Sequence, residues 1–218
     1  HELELLNSLS RNNDVIQDIL IRLSPAIELD ERTHKYTTTG ILDSKFGFAI
    51  DNGDAEKAIN LIESMKNLNL IGIHFHLGSP LFSIVPYVLG IKKVIEFLSQ
   101  FKSLKLKEFS PGGGFAVSYT VEDKTPSVKE YAEAICNTLN QSLDFFNMPK
   151  PKLIIEPGRA ITGPAGVAIY SVGAIKNIEN VRKYISVDGG MGDNIRPALY
   201  GAKYEAVVIN RLWDERPK

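Results

Sequence analysis

Leu153-Ile154-Ile155-Glu156-Pro157-Gly158-Arg159 reads as a buried strand that stops abruptly. Three apolar residues in succession, two of them β-branched, favour a covered, extended backbone. Pro157 and Gly158 break it at once. Glu156 is thereby left at the C-terminal end of the strand, beside a sharp turn with free backbone N–H groups. In parallel α/β folds that end of the strand is where ligands gather. A carboxylate, a turn and an arginine in succession can hold a protonated ring nitrogen and a phosphate together. A Glu–Arg pair that merely closes a strand is the plainer alternative.

Working outward, the same unit recurs upstream. Asp18–Leu23 and Leu70–Phe75 read as strands, and 104–109 leads to a strand ending at Pro111-Gly112-Gly113-Gly114. Between them lie helical patterns. Glu2–Leu9, with Leu3, Leu5, Leu6 and Leu9, is the tail of one helix. Asp54 caps the next, whose buried stripe is Ala55, Ala58, Ile59, Ile62 and Met65. Residues 86–101 put Val88, Ile91, Ile95 and Leu98 inward. Ser127 caps another, with Val128, Tyr131, Ala132, Ile135 and Leu139 on one face. Strand and helix alternating in this way imply βα units and a parallel sheet, either a barrel or a doubly wound sheet. After residue 164 the pattern changes. Val167–Ile175, Tyr184–Val187 and Ala206–Ile209 read as strands with no helix between them. The expected division is therefore an α/β domain over 1–165 and the beginning of an all-β domain over 166–218.

Composition removes several classes of function. The 218 residues carry 25 basic and 26 acidic side chains, a formal charge of −1. That balance points to neither a nucleic-acid nor a membrane partner. No apolar run is long enough to span a bilayer, and no signal peptide is visible. Cys136 is the single cysteine, so no internal disulfide forms. Its amphipathic surroundings predict a packing role. A reducing, cytoplasmic setting is expected.

The residues able to carry chemistry follow the strand ends. His76-Leu77-Gly78-Ser79 follows one strand, Gly112-Gly113-Gly114 the next, and Glu156-Pro157-Gly158-Arg159 the last. A triglycine lets the backbone approach an anion and aim N–H groups at it, although a tight turn needs the same residues. In (β/α)8 barrels a phosphate often sits in the loops after the last two strands. His74 and His76, two apart on one strand, share a face. No further ligand stands near them, so no metal is expected. His76 at the strand end can instead lie against a ring, with His74 a satisfied core histidine. Asp188–Asp193 is a glycine-rich turn. In Arg196-Pro197-Ala198-Leu199-Tyr200 the arginine can grip a carboxylate with two parallel hydrogen bonds.

These motifs, in this order, resemble the fold-type III pyridoxal-phosphate decarboxylases that act on diaminopimelate, ornithine and arginine. The matching pieces are THKYTTTG (33–40), SKFGF (44–48), IHFHLGS (73–79), PGGGF (111–115), EPGR (156–159) and DGGMGDNIRPALYGA (188–202). The first and last of these are the more specific to the diaminopimelate branch, and the resemblance runs from about Glu2 to Asn210. It implies an alanine racemase-like fold: the second half of a pyridoxal phosphate-binding (β/α)8 (TIM) barrel, followed by the start of an all-β domain. It also implies a set of roles. His76 would stack on the cofactor ring. Ser79, Gly112, Gly113, Gly114, Pro157, Gly158 and Arg159 would surround the cofactor and its phosphate, and Glu156 would keep the ring nitrogen protonated. Arg159, Arg196 and Tyr200 would contact the substrate, a small amino acid.

Two departures stand out. Pro80 occupies a position usually held by Gln, and Ser110-Pro111 replaces a more apolar pair. Two of the family's motifs are absent: Tyr-Ala-x-Lys-Ala, which carries the Schiff-base lysine, and a Cys-Glu-Ser motif that reaches across a dimer interface. Lys45 belongs to the SKFGF piece and is not that lysine. The resemblance therefore places the Schiff-base lysine upstream of His1 and no catalytic lysine within this chain. It implies a longer, homodimeric parent enzyme converting meso-diaminopimelate to L-lysine, the 218 residues by themselves being inactive. Decarboxylation of ornithine or arginine is the alternative, against which the arginine of RPALY argues. A catalytically dead relative that acts as a binding protein is a third.

Overall fold

A computed structural model describes residues 1–29 and 45–214. THKYTTTG and Ser44 lie outside the described residues. The chain forms two compact units, one of 1–117 with 125–162 and one of 118–124 with 163–218.

The first unit contains α1 (Glu2–Asn12), β1 (Gln17–Ser24), β2 (Phe48–Ala49), α2 (Asp54–Glu63), β3 (Leu68–Phe75), α3 (Val85–Leu98), β4 (Glu108–Ser110), α4 (Val128–Phe145), β5 (Lys152–Leu153) and α5 (Gly158–Thr162). Its strands form one sheet in the order β2-β1-β3-β4-β5, every neighbouring pair parallel. Register separates the two faces. Ile21, Ile73 and Phe109 stand abreast across β1, β3 and β4, and all are buried with Ile59, Ile91, Ile95, Ile135 and Leu139 of the helices. One residue further along, Arg22, His74 and Ser110 stand abreast. A strand alternates its side chains, so this polar row lies on the face turned away from the helices.

Several local expectations need correction. The N-cap of α2 is Gly53, in the left-handed region at φ 81°, and not Asp54. The Asp54 N–H is taken by Asn52 Oδ1 at 3.0 Å, which leaves the Asp54 carboxylate to pair with Lys57 at 3.0 Å. Ser127 does cap α4: its Oγ accepts from the Glu130 N–H, and Glu130 accepts from the Ser127 N–H in return. Contact with the core begins only at Tyr131 and continues through Ile135, Thr138, Leu139, Ser142 and Leu143. Val128, in the overhanging first turn, is 80% exposed, and Ala132 is exposed as well. Cys136 is exposed rather than packed, because it stands about 100° round the helix from Ile135. The Ile154–Ile155 segment is not a buried strand. Among the described residues it lies at the sheet edge with β4 as its partner, and Ile155 is 49% exposed. Main-chain bonds still carry the pairing onward, from Ile154 N–H to Phe109 O (2.9 Å) and from Glu156 N–H to Gly112 O (3.0 Å).

The second unit holds an antiparallel hairpin of β6 (Val172–Ile178) and β7 (Arg182–Val187), and a short helix α6 (Arg196–Tyr200). Extended structure begins at Val172 and not at Val167. Ala206–Ile209 is no strand: it leads into a 3-10 turn at Ile209–Arg211, with no ladder partner among the described residues. The helix α6 after the hairpin was not expected. Pro197 in its first turn pre-sets a helical φ, and Gly201 ends it at φ 61°.

Candidate functional site

The ends of β3, β4 and β5 are tied together through the triglycine. Gly112 and Gly114 have φ of +76° and +98°, which side chains rarely tolerate. A Cβ on Gly112 would stand 2.5 Å from the Phe75 carbonyl oxygen and 2.9 Å from His76 Nδ1. On Gly113 it would collide with the Glu156 carbonyl, and on Gly114 with that of Gly78. Three strand ends therefore close on one another only because all three residues lack a side chain. The Gly112 N–H donates to Ser110 Oγ (3.2 Å) and the Gly113 N–H to His76 Nδ1 (3.1 Å). The run thus does not present all its N–H groups to an anion. Gly114 alone keeps an N–H with no acceptor among the described residues. Tyr87 of α3, fully buried, donates its hydroxyl to the Gly113 carbonyl at 2.7 Å. Burial pushes the Tyr87 phenol far above its usual range, so it is held as a donor.

His76 is fixed by these contacts. Its Nδ1 accepts from Gly113, and its carbonyl accepts from Arg22 Nη2 at 3.4 Å. Burial lowers its pKa and the nearby Arg22 charge lowers it further, against the pull of Glu156. The neutral ring, with its proton on Nε2, follows from both facts. Ser79 sits in the loop beyond Gly78, ahead of Pro80.

Glu156 follows β5 and bridges to Gly113 as a parallel partner. Its carboxylate, 53% exposed, meets His74 Nε2 at 3.3 Å through Oε1 and 3.4 Å through Oε2. His74 is held below its ordinary pKa mainly by burial, with Glu156 opposing. The contact is therefore a hydrogen bond from a neutral imidazole more than an ion pair. Pro157 offers its carbonyl to the Ala160 N–H at 2.7 Å, which turns the chain into α5. A Cβ on Gly158 would meet nothing within 4 Å, so its backbone stands open. Arg159 is half-buried on the same short helix.

His76, Gly112, Gly113, Gly114, Glu156 and the Pro157–Arg159 turn thus converge at the C-terminal ends of the strands. Arg196 and Tyr200 belong to the second unit. There the Arg196 guanidinium lies 5.6 Å from the Tyr200 ring centroid and donates through Nε to the Tyr204 hydroxyl at 2.9 Å. Sequence reasoning missed Arg22 and Tyr87, and it read His74 as a satisfied core histidine without naming Glu156 as its partner. An arginine inside the apolar run DILIRL was a signal for Arg22, but its alignment with His74 depends on strand register.

The chain belongs to the pyridoxal-dependent decarboxylases: residues 1–163 match the family described as pyridoxal-dependent decarboxylase, pyridoxal binding domain. The cofactor of that family is pyridoxal 5′-phosphate, and the helix-covered parallel sheet is part of its pyridoxal-binding barrel. Among similar proteins, the diaminopimelate decarboxylase of Bacillus methanolicus is 42% identical over 214 residues, 97% of this chain and 49% of that protein. The crystal structure of diaminopimelate decarboxylase from Helicobacter pylori complexed with L-lysine superposes with a TM-score of 0.81 at 31% identity, covering 94% of this chain and 48% of that one. The corresponding L-lysine complex from M. jannaschii gives 0.82 at 32% identity, over 94% and 46%. The chain spans about half the length of the curated relatives it matches. No helix among the described residues is long and apolar enough to cross a membrane.

Proposed function

We propose that the protein carrying this chain decarboxylates meso-diaminopimelate to L-lysine with pyridoxal 5′-phosphate, as a cytoplasmic homodimer. Residues 1–165 would supply the C-terminal half of its barrel, and 166–218 the beginning of its β domain. The observation that carries the reading is the joining of Glu156, Gly113 and His76 at one set of strand ends.

The residues present fit the cofactor. A half-exposed carboxylate stands at the strand end, and the Gly114 and Gly158 amides have no acceptor among the described residues. Bound there, the cofactor supplies an electron sink for the carbanion left when CO2 departs. Glu156 holds a proton at the ring nitrogen, and His76, neutral and fixed, covers the ring. Ser79, Gly114, Gly158 and Arg159 take the phosphate. Gly112 and Gly113 shape the loop, and Pro157 sets the turn that brings Arg159 round. By the resemblance, Arg159, Arg196 and Tyr200 would contact the substrate, the arginines being suited to its carboxylates.

The test uses the full-length protein. CO2 release is expected from meso-diaminopimelate and not from ornithine or arginine at equal concentration. Glu156→Gln should lower turnover about a hundredfold or more while the cofactor is retained, because the amide keeps the shape but cannot stabilise a protonated ring nitrogen. Equal release from ornithine would overturn the substrate, and near-normal turnover in Glu156→Gln would overturn the role of the carboxylate.

A further inference from the structure

Glu156 is anchored unequally. Its N–H is bound to Gly112 O, and its carbonyl is packed against Gly113. The carboxylate itself has one hydrogen-bonding side chain among the described residues, His74, whose Nε2 is shared by both oxygens at 3.3 and 3.4 Å. The two are 82 residues apart in sequence. His74 is only 18% exposed on its side chain, and its place in the row with Arg22 and Ser110 is fixed by strand pairing. The imidazole is thus rigidly placed and the carboxylate is not, so the ring orients the acid.

We propose that His74 is the positioning residue for Glu156, its Nε2–H fixing the carboxylate's orientation where it meets pyridoxal phosphate. This rests on the role proposed above for Glu156. A donated hydrogen bond fixes where the carboxylate oxygens stand, and a protonated ring nitrogen needs an acceptor held in place beside it. Burial keeps His74 neutral, so it donates a hydrogen bond without adding a cation that would compete for the carboxylate. A side chain that merely filled space on the sheet face turned away from the helices would need only its volume.

The test separates donor from volume in the full-length holoenzyme. His74→Gln keeps an N–H at the reach of Nε2, His74→Leu keeps volume alone, and His74→Ala opens a gap. Turnover, KM and the 15N resonance of the pyridine nitrogen are read with labelled cofactor. Leu and Ala are expected to lower kcat about tenfold or more with KM changed less than about twofold, and to move the resonance toward the unprotonated position. Gln should restore both, and free imidazole should partly restore the Ala variant. Should His74→Leu fail to fold, the Ala variant and its rescue by imidazole decide. An unmoved resonance in the donor-free variants, or equal losses in Gln and Leu, would overturn the proposal. Glu156→Gln is the control: if it leaves the resonance at the protonated position, the role of Glu156 itself fails. If it moves the resonance and the donor-free His74 variants do not, only the positioning role fails.

Discussion

At the scale of single residues, two glycines of the site ought to behave oppositely. A Cβ on Gly113 collides with the Glu156 carbonyl, whereas one on Gly158 meets nothing within 4 Å. Gly113→Ala is expected to cost more than about 2 kcal/mol in denaturant unfolding, since backbone must move to admit it. Gly158→Ala should leave stability within about 0.5 kcal/mol and weaken cofactor binding instead, as read by titrating cofactor into the apoprotein. Loss of stability in both variants would mean that the open space at Gly158 is not there.

His74 and His76 predict a pH dependence. Both are held below the ordinary imidazole pKa, mainly by burial. Unfolding releases them to protonate near about pH 6.5. Above that value they are neutral in both states and contribute no slope. Below it, down to their folded values, the unfolded chain binds more protons, so stability falls as the pH falls. Unfolding free energies at about pH 7.5 and 5.5 measure this, and the acid loss should shrink in His76→Gln by up to about 1.4 kcal/mol per pH unit. An unchanged loss would place His76 in water.

At the scale of elements, α4 offers the cleanest case. Its Ser127–Glu130 capping box satisfies N–H groups that the first turn cannot bond internally. Ser127→Ala is expected to cost about 1 kcal/mol in urea unfolding, with no change in cofactor binding. The box is readable in the sequence, as a serine three residues before a glutamate at the start of an apolar pattern. The start of α2 was misread for a related reason: Asn52, Gly53 and Asp54 are all capping residues, and only the left-handed Gly53 decides among them. The end of β5 was misread because a run of apolar residues says nothing about whether a strand is central or at an edge.

At the scale of the whole chain, no Tyr-Ala-x-Lys-Ala motif occurs in the 218 residues. Made alone, the chain is expected to release no CO2 from meso-diaminopimelate above a cofactor-only control, and borohydride should fix no cofactor at Lys45. Measurable release would show that a lysine within this sequence does the work. Leu20, Ile155 and Ile161 are exposed, and β2 and β5 each have a partner on one side only among the described residues. The isolated chain should therefore self-associate, eluting early in size exclusion.

The sequence by itself determined the βα alternation, the apolar stripes of the helices, and the strand-end positions of His76, the triglycine, Glu156 and Arg159. These are local: each depends on the 2.0 or 3.6 periodicity of its own segment and on the glycine or proline that stops it. Only the tertiary structure decided that Arg22, His74 and Ser110 form one row, that the triglycine is required by packing against three strand ends, and that His74 holds Glu156. Each of these depends on the register between parallel strands. Register follows from which side chains fit against the helices, and a strand shifted by one residue would turn the whole polar row into the core.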